Sequence, residues 1–114
     1  MKEVILAMLV TVLFQNFALA AGQVRVPASG SSKIEKITAY TDYETQACLQ
    51  GRVLIRVDGT WYFVEGKTED GKSLMSLALT AKTTNTEVVL YVQDSGGACT
   101  GAGDYKAIHS INLQ

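Results

Sequence analysis

Two cysteines, Cys48 and Cys99, carry the most definite chemistry in this chain. A single histidine, His109, and the absence of a Cys-x-x-Cys spacing leave too few ligands for a four-coordinate structural zinc site. Two cysteines in a small domain from an oxidising compartment most simply form one disulfide. Closing a loop of about fifty residues would stabilise the fold by about 4 kcal/mol in the chain-entropy model. We therefore predict a Cys48–Cys99 disulfide, no metal site and no cofactor.

Residues for covalent catalysis lack a recognisable arrangement. His109 lies beside Ser110 in an alternating stretch, but a nucleophile and its base also need a third group that orients the base, and no spacing locates one. The short acidic pairs fall in predicted turns and supply too few oxygen ligands for a calcium loop. The sequence therefore predicts a protein that is not an enzyme.

Aromatic residues give a better indication of binding. Rings with polar tips suit sugars, because apolar sugar faces stack on the ring while hydroxyl groups find hydrogen bonds. Tyr62, Tyr91 and Tyr105 lie in or beside predicted strands. The candidate ligand-binding residues among and around the aromatic side chains are Tyr40, Thr41, Asp42, Tyr43 and Trp61. Trp61 has a second interpretation, in which it and Phe63 fill the interior of the domain.

The N-terminal residues have the pattern of a secretory signal. Lys2 precedes an apolar run over residues 4–14, and Ala18-Leu19-Ala20 has the small-x-small pattern of a signal peptidase site. The run is shorter than the roughly twenty residues that a membrane-spanning helix needs. We expect residues 1–20 to be removed, with cleavage after Ala20 or Ala21, and the protein to be exported to the periplasm or secreted, without membrane insertion of the mature chain.

The charge balance excludes one class of partner. Ten Lys and Arg stand against eleven Asp and Glu, and removal of the leader takes away one of each sign, so the net charge stays at −1. A protein that binds the nucleic-acid backbone normally has a basic stripe. We therefore expect no nucleic-acid partner.

The rest of the chain predicts one domain over residues 33–114, preceded by a flexible leader over residues 21–32 that holds the only proline. Strands are predicted at 33–41, 48–57, 60–65, 88–93 and 105–113. Asp58-Gly59 is a strong hairpin signal. In the first and last strands the apolar pairs Ile34/Ile37 and Ile108/Ile111 are three apart, and this breaks strict alternation and indicates a β-bulge or strong coiling of each strand.

One helix separates the third and fourth predicted strands. Leu74, Leu77, Ala78 and Ala81 have the spacing of one helix face, and Asp70 is the expected N-cap. The order β-β-β-α-β-β, mainly β with one helix, is that of the oligonucleotide/oligosaccharide-binding (OB) fold, a five-stranded Greek-key barrel. The alternative is a flat meander with the helix on one face.

The segment KSLMSLALTAKTTNTEVVLYVQ, a helix that ends in small and Thr residues and leads into an alternating strand, resembles the cell-binding B subunits of AB5 toxins. The subtilase-cytotoxin and pertussis-like branch is the most similar, and its mature domains have about the same length. The resemblance implies a homopentameric ring of OB-fold domains whose helices line a central pore, glycan-binding pockets, and a separate catalytic A subunit. It also implies that Ser31 or Ser32, just before the first strand, contacts a sialic acid.

Apolar residues outside the core face of the helix indicate a subunit interface. The candidates are Met75, Leu79 and, on a strand, Leu54, which is out of phase with its neighbours. The sequence thus predicts an exported B-subunit-like glycan-binding protein. The alternative is a monomeric periplasmic or secreted module that binds a host or envelope protein, as an inhibitor or accessory factor, through sheet edges or the loop at residues 94–104.

Overall fold

A computed structural model describes residues 22–95, 97–99 and 105–114. The described chain is mainly β, with one helix and six strands in one sheet. The elements are β1 (Gln23–Val26), β2 (Ile34–Ala39), β3 (Arg52–Val57), β4 (Thr60–Glu65), α1 (Glu69–Thr84), β5 (Val88–Gln93) and β6 (Lys106–Leu113). The expected signal peptide and most of the 94–104 loop lie outside the described residues.

The strands are arranged in the order β1-β5-β6-β4-β3-β2. All neighbouring pairs are antiparallel except β4 and β6, which are parallel. The two end strands of this order, β1 and β2, are consecutive in the chain. Between them, the N–H of Ser32 donates to the Val88 carbonyl at 3.0 Å, and the N–H of Val88 donates to the Ser32 carbonyl at 2.7 Å. The entry to β2 is therefore hydrogen-bonded to the start of β5.

The sheet has six strands where the sequence predicts five. The additional strand, β1, comes from the segment assigned to a leader, and it pairs with β5 from Gln23 opposite Gln93 to Val26 opposite Leu90. The single proline, Pro27, follows directly after β1, so it does not interrupt the ladder. Alternating Val24 and Val26 were too short a signal to predict a strand.

Both bulges expected from the apolar spacing are present. In β2, Ile34 pairs with Val57 and Lys36 with Arg56, so one residue of β2 is left over. Along β6, the partners of Tyr91 and Val92 are Ser110 and Ile108, and His109 is skipped. Each extra residue lets two isoleucines that are three apart face the same side.

The predicted hairpin is confirmed, but the strand before it is shorter than predicted. Asp58 and Gly59 both have positive φ, 51° and 75°, as a two-residue turn with the twist of the flanking strands requires. Strand β3 begins at Arg52 rather than at Cys48. Residues Ala47–Leu49 form one turn of 3-10 helix instead, and Gly51 reverses the chain at φ 70°.

Two apolar clusters lie on opposite sides of β3 and β4. The main core takes the odd residues of β3, Tyr62 and Val64 of β4, alternate residues of β5 from Val88 to Val92, and Ile108 and Ile111 of β6. Burial raises the pKa of the Tyr62 phenol above its usual value. The second cluster, here called the outer cluster, contains Leu49, Leu54 and Phe63, with Trp61 and Tyr105 packed against it. Phe63 is therefore buried, as one interpretation of the sequence predicts, but in the outer cluster rather than in the main core, and Trp61 is only partly buried against it.

Helix α1 covers the main core through a face slightly different from the predicted one. Ala78 and Ala81 are buried, and Leu74 and Met75 pack against the core. Leu77, which was expected on this face, is 40% exposed, because the buried face is centred between Leu74 and Ala78 and leaves Leu77 at its side. The N-cap is Thr68 rather than Asp70, since the Thr68 hydroxyl accepts the Gly71 N–H at 2.9 Å.

The predicted disulfide is confirmed. Cys48 and Cys99 are bonded, with their Cα atoms 5.3 Å apart. Cys48 lies in the 3-10 turn before β3, and Cys99 lies in the connection between β5 and β6. The bond therefore joins two connections that are 51 residues apart in sequence.

Gly71 sets how closely α1 approaches the sheet. A Cβ atom at this position would lie 1.5 Å from the Glu65 carbonyl oxygen at the end of β4. This oxygen belongs to the backbone and cannot move aside without a shift of the strand or the helix.

Gly71→Ala should therefore lower the free energy of unfolding by about 2 kcal/mol, as overpacking does, although Gly to Ala inside a helix ordinarily raises it by about 1 kcal/mol. Ser76→Ala, at an exposed position of the same helix, is the control and should be neutral or stabilising. Urea denaturation measures both variants. A Gly71→Ala variant as stable as the parent protein would contradict this close approach of α1 to the end of β4.

Candidate functional site

An open cleft lies at the end of β2, where the chain enters the connection to β3. Its cavity has a volume of about 410 Å³, within the usual range for small-ligand pockets. The cleft brings together four residues that the sequence analysis singled out, Tyr40, Thr41, Asp42 and Tyr43. Its other lining residues are Ala39, Gly51, Val53, Gly66, Lys67 and Met75, and of these the sequence singles out only Met75, as an interface candidate.

Two glycines form a close backbone contact at the cleft. The Gly66 N–H donates to the Gly51 carbonyl at 2.9 Å, and a Cβ atom on Gly66 would lie 2.7 Å from that oxygen. A Cβ atom on Gly51 would lie 2.8 Å from the Lys67 Cε atom. A side chain at Gly66 would therefore push the backbone that lines the cleft apart, and a side chain at Gly51 would be strained by the positive φ of 70°.

Several hydrogen bonds lie within the β2–β3 connection. The Thr41 carbonyl accepts the N–H groups of Glu44 and Gly51, both at 3.3 Å, and the Gln50 side-chain amide donates to the Glu44 carbonyl at 2.8 Å. The Thr41 hydroxyl accepts the Tyr43 N–H at 3.3 Å. Because these hydrogen bonds use mainly backbone groups, the side chains of Asp42 and Tyr43 take no part in them. Both side chains project from a loop of defined conformation.

The polar groups of the cleft carry balanced charge. Lys67 Nζ lies 2.7 Å from Asp42 Oδ1, and both side chains are largely exposed, so the pair adds little to stability. Tyr43 is 94% exposed, so its ring makes almost no contact within the chain. Tyr40 is half-buried and also packs on the outer cluster. The cleft thus combines aromatic rings with one donor and one acceptor side chain and has no net charge.

Trp61 lies apart from this cleft. It pairs with Arg56 beside the β3–β4 hairpin, at the opposite end of these strands from Gly51 and Gly66. The Arg56 guanidinium lies 5.9 Å from the centre of the Trp61 ring, a cation–π distance. Trp61 packs on the outer cluster and is only partly accessible.

Ser31 and Ser32 are also at the far end of β2, about 20 Å from the cleft for a six-residue strand. The Ser31 hydroxyl donates to Glu87 Oε1 at 2.7 Å, and the Ser32 hydroxyl donates to Asp58 Oδ1 at 2.8 Å. Both hydroxyls are therefore engaged with carboxylates. A sialic-acid carboxylate placed here would meet like charges, so the geometry does not favour the contact that the resemblance implies.

The three expected interface residues have different environments. Leu54 is only 4% exposed and packs in the outer cluster, so the structure contradicts its assignment to a subunit interface. Its out-of-phase position is explained by that second cluster on the other side of β3. Met75 packs against the main core and lines the cleft. Leu79 is 47% exposed and remains available for contact with another chain.

His109 is exposed and lines a groove between α1 and β6 together with Asp70 and Ser73. No hydrogen bond links these three side chains. Within residues 22–95, 97–99 and 105–114, no group of three His, Cys, Asp or Glu side chains could hold a metal ion. The same part of the chain contains no helix of the length and hydropathy needed to span a membrane.

Comparisons with protein-family models, with curated proteins and with solved structures find no match to this chain.

Proposed function

We propose that this protein is an exported, non-enzymatic glycan-binding protein that resembles the subtilase-cytotoxin and pertussis-like B subunits and assembles as a homopentameric ring. The glycan is bound in the cleft at the end of β2. The observation that carries the proposal is the almost fully exposed Tyr43 beside the Asp42–Lys67 pair on the rim of a 410 Å³ cavity.

The strand order supports an OB-type barrel for this proposal. Strands β2 to β6 follow the order β-β-β-α-β-β, and the parallel β4–β6 pair is the one parallel contact of the sheet. The Ser32–Val88 bridge lets β1 and β2 act as two halves of one bent first strand that contacts both β5 and β3. OB folds bind oligosaccharides and oligonucleotides with the loops after their first and fourth strands. The Cys48–Cys99 disulfide joins these two loops here.

The chemistry of the cleft favours a sugar over other small ligands. A sugar ring offers an apolar face for Tyr43 and hydroxyl groups that can both donate and accept. Asp42 accepts and Lys67 donates, so together they match a hydroxyl pair without requiring a charged ligand. The net charge of −1 and the absence of a basic stripe disfavour nucleic acid.

The outward side of α1 supports assembly into a ring. It presents Leu77 and Leu79, both exposed, among serines and threonines. Three threonine hydroxyls donate to the carbonyl four residues earlier, at 2.9, 2.7 and 2.7 Å. Because these hydroxyls are already satisfied, packing a neighbouring subunit against their methyl groups would cost little desolvation. Weak sites repeated around a ring would then act together on a glycan-coated surface.

Export is part of the proposal and is compatible with the disulfide, because such bonds persist in oxidising compartments. A ring would also leave one face for the separate catalytic A subunit that the resemblance implies.

Tyr43→Ala in the mature protein should lower retention on immobilised glycans at least about tenfold, since it removes the exposed ring over the cleft. Tyr43→Phe keeps the ring and should retain most of the binding, while Thr45→Ala on the same connection is a matched exposed control. A glycan array read with labelled protein measures retention. Undiminished retention by Tyr43→Ala, at unchanged thermal stability, would exclude this cleft as the sugar site.

Leu79→Glu should convert a five-subunit species into single subunits, because it buries a charge in the proposed helix contact. Lys36→Gln, on β2, changes the net charge by the same amount and should leave the assembly intact. Light scattering during size exclusion gives the masses. A parent protein that is already monomeric would contradict the ring and favour the alternative of a monomeric protein-binding module.

A further inference from the structure

A second polar surface lies on the side of the sheet formed by β1, β5 and β6. The strand register places Arg25, Tyr91 and Ser110 in one row, since Tyr91 pairs with Arg25 on one side and with Ser110 on the other. Directly opposed residues in a sheet face the same side. The neighbours of this row are Gln23 and Asn112, which lie two residues away along β1 and β6.

These residues surround an open cavity of about 310 Å³, whose described lining residues are Gln23, Tyr91, Ser110 and Asn112. All four are uncharged. Tyr91 and Ser110 are half-buried, so part of the ring and the hydroxyl stay accessible. The cleft near Tyr43 shares no lining residue with this cavity.

Polar groups in this cavity are available to a ligand. Within the described residues, the side chains of Gln23, Tyr91 and Ser110 make no hydrogen bond, and Asn112 Nδ2 makes only a long contact of 3.5 Å to the Val89 carbonyl. The nearby Gln93 differs, because its amide donates to the Ser95 carbonyl at 2.8 Å and accepts the Ala107 N–H at 2.7 Å.

Arg25 does not turn this surface into an anion site. Its two terminal nitrogens donate to the carbonyls of Pro27 at 2.7 Å and Gly30 at 2.8 Å. The guanidinium therefore fixes the 27–30 turn at the end of β1, and the remaining recognition chemistry is a tyrosine ring among two amides and a hydroxyl.

We propose that this surface is a second saccharide site, in which a neutral sugar unit lies on Tyr91 and its hydroxyl groups bond to Gln23, Ser110 and Asn112. Neutral amide and hydroxyl groups around a ring match a ligand that presents alternating apolar and hydroxyl faces. No carboxylate among the described lining residues would compete for the donors. The site shares no lining residue with the Tyr43 cleft, so the two sites bind independently.

The test is a titration of the ¹⁵N-labelled, oxidised mature protein with methyl galactoside, methyl glucoside and methyl N-acetylglucosaminide to about 50 mM, the range that weak single-site binding requires. Amide shifts at Tyr91, Ser110 and Asn112 should move with at least one of the three. Tyr91→Leu, which keeps an apolar side chain on β5, should abolish the movement, and Ser110→Ala should weaken binding about fivefold.

Tyr43→Ala is the matched control, and it should leave the shifts at Tyr91 and Ser110 unchanged. If Tyr43→Ala loses the amide shifts at the cleft and keeps those at Tyr91 and Ser110, then the two sites bind sugar separately. One site can then fail without the other. The proposal would be overturned by no movement at these amides with all three glycosides, or by movement that persists in Tyr91→Leu.

Discussion

The Cys48–Cys99 disulfide is the constraint on which the candidate cleft depends. It joins the β2–β3 connection, which carries Asp42 and Tyr43, to the connection between β5 and β6. It also lies over the outer cluster of Leu49, Leu54 and Phe63, so a covalent bond and an apolar contact hold the same two loops. A small domain has a limited core, and here the second cluster outside the main core exists because these loops are kept against the sheet. The shape of the cleft follows from that attachment and from the Gly51–Gly66 contact beneath it.

The alternation of side chains along the strands divides the molecule into a main core and several separate surfaces. Residues that face one side of β3 and β4 form the main core, and those that face the other side form the outer cluster. The far strands, β1 and β5 with β6, present uncharged polar groups around Tyr91. Helix α1 covers the main core with Ala78 and Ala81, and its leucines Leu77 and Leu79 and its threonines face outwards.

Much of the fold could be predicted from the sequence, because strong local signals were present. The Asp58-Gly59 turn, the bulges at Ile34/Ile37 and Ile108/Ile111, the helix before β5 and the disulfide all follow from short patterns with one physical cause each. Strand β1 was missed because its four residues are stabilised by pairing with β5, which is a tertiary contact. The N-cap was placed two residues late because Thr68 and Asp70 are both good caps, and only the backbone angles decide between them. Of the candidate site, Tyr40–Tyr43 are consecutive in sequence and line one cleft with Gly51 of the same connection, whereas Gly66 and Lys67 come from the end of β4, which no local pattern connects with them.

Hydrogen exchange, read by mass spectrometry on the oxidised protein and on a Cys48→Ser/Cys99→Ser variant, tests most directly whether the disulfide holds the cleft. We expect the variant to show faster exchange confined to residues 40–51 and to the segment around Cys99 and Tyr105, with β1 and β5 as protected as before. Unchanged exchange at residues 40–51 would contradict it, because the loop would then be held by its own hydrogen bonds. A uniform loss of protection across all six strands would contradict it as well, because the bond would then support the whole sheet rather than the β2–β3 connection.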